Sequence, residues 1–81
     1  MQSQSAVEKR RIKLDQLVEA EGYDSLEDLL AAAVGDSVSP AICLNDGCDY
    51  TTEMEPDQDR GWCEACRTNT VASALVLAGI I

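Results

Sequence analysis

Cys43-Leu44-Asn45-Asp46-Gly47-Cys48 and Trp62-Cys63-Glu64-Ala65-Cys66 hold every cysteine of the chain. The order is C-x4-C, a gap of residues 49–62, then C-x2-C, and there is no histidine. Two close pairs separated by a hairpin-sized gap suit one tetrahedral site, with four thiolates each ~2.3 Å from a single ion. Cys43, Cys48, Cys63 and Cys66 are therefore the expected ligands, and structural Zn2+ is the expected cofactor. Four thiolates do not by themselves select zinc, so iron stays open as the ion. Disulfides are the competing reading. The polar start Met1-Gln2-Ser3-Gln4-Ser5 carries no export signal, which makes a reducing cytoplasm the expected compartment and favours metal over disulfides.

Composition points the same way. A chain of 81 residues with no Phe, one Trp and two Tyr has a modest aliphatic core, and chains this small usually need a staple. A structural zinc site contributes an apparent ~10–16 kcal/mol in zinc-finger peptides near neutral pH, enough to decide whether such a module folds. The formal charge is −9. Acidity is spread along the chain, and Lys9, Arg10, Arg11 and Lys13 form the one locally basic cluster. Net charge of this sign repels phosphate backbones and disfavours a nucleic-acid partner. The apolar stretch Val71–Ile81 is too short to span a bilayer, so no membrane role is expected.

Outward from the cysteines, the division expected is a helical pair over 1–39 and a four-cysteine module over 40–81. Residues 1–5 read as a frayed start. From Ala6 to about Glu21, Val7, Leu14, Leu17 and Val18 share one helical side, with Ile12 extending it. Bases precede acids along this helix, the weaker orientation for the dipole, so tertiary support is expected. Gly22 fits the position just past the helix end. Asp24 is the expected cap of a second helix, with Tyr23 before it, Glu27 after it, Leu26, Leu29, Leu30 and Ala33 at helical spacing, and Gly35 closing it. Asp36–Pro40 reads as a linker and Asn45-Asp46-Gly47 as a tight turn. Tyr50–Met54 reads as a strand and Glu55–Gly61 as a second turn. Over Val71–Ile81 helix is favoured over strand because of Ala72, Ala74 and Ala78, although periodicity alone does not separate the two. This tail is expected to cover Leu14, Leu17, Leu26, Leu29 and Leu30, or to leave an apolar patch for a homodimer.

The sequence Trp62-Cys63-Glu64-Ala65-Cys66, following a turn-borne cysteine pair and a hairpin, resembles the treble-clef zinc fingers, GATA-type fingers in particular. The resemblance covers about Ile42 to Ala78. It implies ligand roles for Cys43, Cys48, Cys63 and Cys66, with the second pair entering a helix. In size and layout the chain is also similar to small bacterial and phage-encoded zinc-finger proteins. The basic DNA-contacting residues of GATA-type fingers are missing, since Arg67, Thr68, Asn69 and an apolar run follow Cys66. A zinc ribbon, with Val71–Leu77 as a strand, is the alternative fold. The W-C-x-x-C string also resembles the redox site of thioredoxin-like enzymes, but that architecture does not fit around residue 62 of 81 and would leave Cys43 and Cys48 unused.

The expected whole is an α+β, zinc-stabilised module. A saturated four-cysteine site leaves no open coordination position, and a chain without histidine has no Ser-His-Asp set, so no enzyme is expected. The expected role is that of a small adaptor or regulator binding another protein. The alternative is a transcription-regulatory DNA or RNA binder that uses the basic 9–13 segment.

Overall fold

The computed structural model describes residues 6–81; the start expected over residues 1–5 lies outside the described residues, as does the side chain of Val7. Helix α1 spans Ala6–Glu21. It ends where Gly22 adopts φ +79°. There the amide of Gly22 donates to the Glu19 carbonyl and that of Tyr23 to the Val18 carbonyl, so two of the carbonyls in the last turn are satisfied. Helix α2 spans Leu26–Val34. Its cap is Ser25, one residue later than the expected Asp24, with Ser25 Oγ accepting from the Asp28 amide at 3.2 Å. A cap needs extended backbone ahead of the first turn, and Ser25 supplies it at φ −153°.

Four strands follow: β1 at Ser39–Cys43, β2 at Thr51–Met54, β3 at Gly61–Cys63 and β4 at Thr68–Ser73. They form one antiparallel sheet in the order β2-β1-β4-β3. The expected linker thus ends early, because Ser39 and Pro40 already belong to β1. Proline is tolerated there because β4 pairs with β1 only from Ala41 onward, which leaves that side of Pro40 without a ladder partner. The tail also departs from expectation. Val71, Ala72 and Ser73 are strand, and helix α3 is a single turn, Ala74–Leu77. Ser73 caps that turn by accepting from the Val76 amide, while its hydroxyl donates to the Pro56 carbonyl.

The fold is α+β, as expected, and β1 and the end of β4 are buried on both faces of the sheet. Along β1, Ile42 points toward one apolar cluster, while Ala41 and Cys43 point toward another. Along β4, Ala72 and Val71 divide in the same way, following the two-residue period of a strand. The first cluster joins Leu14, Leu17 and Leu29 to Ile42, Ala72, Ala74 and Leu77, with Leu26, Leu30 and Ala78 at its margin. The expected meeting of tail and helical pair is therefore present. The second cluster comprises Ala41, Cys43, Cys63 and Val71, with Cys48, Tyr50, Met54 and Cys66 packed beside them. No helix among the described residues is long and apolar enough to cross a membrane.

Candidate metal centre

Each cysteine pair sits on a loop at the end of a β-hairpin. Cys43 ends β1, and the chain turns through Asn45–Gly47 to Cys48. Gly47 takes φ +79°, as expected for this trio, and the Cys48 amide closes the turn on the Asn45 carbonyl at 3.1 Å. Cys63 ends β3, and its carbonyl accepts from the Arg67 amide at 2.7 Å. Arg67 holds the left-handed conformation at φ 59°, which returns the chain into β4. The second pair therefore lies in a strand-to-strand turn, whereas the GATA-like resemblance implied a helix start. The helix is absent because Thr68–Ser73 pairs with both β1 and β3.

These two loops bring the four sulfurs together, all within 4.8 Å of one another. Cys43 Sγ lies 4.0 Å from Cys66 Sγ, and Cys48 Sγ lies 3.7 Å from Cys63 Sγ. Ligands at ~2.3 Å in tetrahedral array stand about 3.8 Å apart, so these two pairs match the spacing of a four-thiolate centre and the remaining distances stay within 4.8 Å. All four are free thiols. Cys43 and Cys63 are buried, and Cys48 and Cys66 are half-buried. The expected ligand set is thus assembled in one place, with a donor set and spacing that fit a metal ion.

Polar neighbours tune the sulfurs. The Cys66 amide approaches Cys63 Sγ at 3.3 Å, and the Thr70 hydroxyl lies 3.1 Å from Cys43 Sγ. Thr70 Oγ1 is itself 2.9 Å from Thr68 Oγ1, and Asn45 Nδ2 donates to both hydroxyls, at 3.3 and 3.5 Å. Burial pushes the Cys43 thiol up, but hydrogen bonds from Thr70, the Asn45 backbone, Cys48 and Cys63 together outweigh it and bring the group down to about 7. For Cys48, the Tyr50 backbone amide lowers the value, yet desolvation and the sulfurs of Cys66, Cys43 and Cys63 push it up to about 12. One thiol of the quartet ionises readily, and its charge then holds a neighbour protonated. A divalent ion would relieve this conflict by offsetting two of the four thiolate charges. At the rim, Tyr50 donates to Glu64 Oε2 at 3.4 Å, and partial burial followed by the Glu64 charge keeps its phenol protonated beyond the ordinary range.

One important residue was not assigned to the site from sequence. Lys13, counted there with the locally basic cluster, is only 3% exposed, and its Nζ donates to the Asn45 and Cys48 carbonyls at 2.7 Å each. The available signal was a lysine spaced i, i+4 from Leu17, on the apolar side of its helix. Lys9 reaches the same loop, 3.2 Å from Asp46, in an exposed ion pair. Comparison with known proteins gives no match, whether to a family model, a curated protein or a solved structure.

Proposed function

We propose that this chain is a non-enzymatic module built around a structural four-cysteine zinc centre and that it acts by binding another protein. The carrying observation is the convergence of the Cys43, Cys48, Cys63 and Cys66 sulfurs within 4.8 Å of one another, held by two hairpin loops. Zinc is preferred among thiolate-binding ions because four sulfur ligands are typical of its structural sites, and such a site leaves no position for a reacting water. The sheet layout, with a cysteine pair on each hairpin loop, favours a ribbon-like reading of this zinc finger over a treble clef.

Protein binding is supported by a surface that is acidic overall yet carries exposed Ile12, Val34, Trp62, Ile80 and Ile81. The nucleic-acid alternative draws on Lys9, Arg10, Arg11 and Lys13. Lys13 is buried, while Lys9 and Arg11 are paired with Asp46 and Asp15. Native mass spectrometry with metal analysis is expected to find one zinc per chain, and a native fold free of metal would overturn the centre. Tight, salt-sensitive binding to duplex DNA or single-stranded RNA, lost on charge reversal at Arg10 and Arg11, would overturn the protein-binding reading in favour of that alternative.

A further inference from the structure

A buried ammonium needs strong compensation, and Lys13 has an unusual source of it. No carboxylate pairs with it among the described residues. Its two hydrogen-bond acceptors are main-chain carbonyls of the loop that carries the first cysteine pair, and one belongs to Cys48 itself. The Asn45 carbonyl also accepts the Cys48 amide that closes the turn, so Lys13 grips the loop at the point that sets the direction of Cys48. Lys13 is followed by buried Leu14 and Leu17, which anchor α1 in the helical core cluster. The same helix segment therefore holds the core and the cysteine loop.

We propose that Lys13 is a positioning residue of the metal centre and that it couples metal occupancy to the docking of α1. This rests on the four-thiolate reading given above. A divalent ion bound by four thiolates would leave a net charge of −2 beside the loop, and the Lys13 ammonium is a buried positive charge bonded to that same loop. In return, the ordered loop provides the carbonyl pair without which Lys13 would be buried and unsatisfied. Linkage makes the effect mutual: whatever factor α1 docking adds to metal affinity, metal adds to α1 docking. Metal loss would then loosen α1 as well as the cysteine loops, releasing Lys13 and the apolar side of the helix.

The test uses the full chain and Co2+, whose thiolate charge-transfer and visible bands report tetrahedral sulfur coordination. Wild type is expected to give the four-thiolate spectrum. Lys13→Met is expected to bind Co2+ about 10–100-fold more weakly, the range typical of groups that orient ligands from behind. Lys9→Met removes only an exposed ion pair and is expected to stay within roughly threefold of wild type. Unchanged affinity in Lys13→Met overturns the proposal while leaving the centre intact, whereas absence of the thiolate spectrum in wild type overturns both. Hydrogen exchange reads the coupling itself. A residue that only packs α1 would change the exchange of residues 8–21 by the same factor with and without zinc. The coupling instead makes zinc protect them more in wild type than in Lys13→Met. In zinc-loaded Lys13→Met, the amides of residues 8–21 are expected to exchange faster while the cysteine loops stay protected. Should that variant fail to fold, wild type decides the matter: equal exchange of residues 8–21 with and without zinc overturns the coupling.

Discussion

At the scale of single residues, the cysteines differ in how readily they give up a proton, and this makes metal affinity depend on pH in a defined way. Cys43 lies at about 7 and Cys48 at about 12, against an ordinary value of 9.0. A metal ion takes only thiolates, so at neutral pH it must displace the Cys48 proton. It must displace the Cys43 proton as well only when the pH falls below about 7. Affinity therefore declines on acidification, and the slope of log affinity against pH is expected to steepen by one proton as the pH passes downward through about 7. Zinc competition titrations across that range would check this, and an unchanged slope would contradict it. Thr70→Val removes the hydroxyl that does most to lower Cys43. The steepening is then expected to move to higher pH, with weaker metal binding at neutrality. A Thr70→Ser variant, which retains the hydroxyl, is expected to stay close to wild type.

At the scale of elements, the helical pair depends on its ends. Ser25→Ala removes the cap of α2 and is expected to cost about 1 kcal/mol. Gly22→Ala places a side chain at φ +79° and is expected to cost roughly 1–2 kcal/mol, both read from urea unfolding of the metal-loaded chain. The helices were legible because their signals are local, leucines at helical spacing and a glycine past one end, although the cap of α2 is Ser25 and not the expected Asp24. The ligand set was legible because all four cysteines fall into two close pairs. The tail was less so. Val71, Ala74, Leu75 and Ala78 have helical spacing, yet β4 pairs with β1 residues such as Ile42 and Cys43, distant in sequence, and that pairing overrides the propensity of Ala72. In the same way, the turn after Cys63 could not be separated from a helix start without knowing that Thr68–Ser73 has strand neighbours on both sides. The role of Lys13 was hidden for a related reason, since its partners lie 32 and 35 residues away.

At the scale of the whole molecule, the question is whether the helical pair can outlive the metal. The two apolar clusters are not independent, because β1 and β4 contribute alternate residues to both. Ile42 carries the helical cluster, and its neighbours Ala41 and Cys43 carry the sulfur side. Loss of the ion leaves four converging thiols whose ionised forms repel, at the ends of strands that also back the helices. A typical small domain has a net stability of about 5–15 kcal/mol, comparable to the apparent ~10–16 kcal/mol of a structural zinc site, so removing the ion can erase the whole margin. Helix α1 gives little independent support, since its last turn carries acids and no base and its i,i+4 ion pair, Arg11 with Asp15, is exposed. Chelation at neutral pH is therefore expected to unfold the chain in one step. Far-UV circular dichroism, which follows the helices, and Trp62 fluorescence, which follows β3, should change at the same chelator concentration and recover together when zinc is restored. Helical signal that persists after the fluorescence change is complete would mean that the cluster around Leu17 and Leu29 holds without the sulfur side. The shared strands would then be a boundary between two folding units instead of the link that joins them.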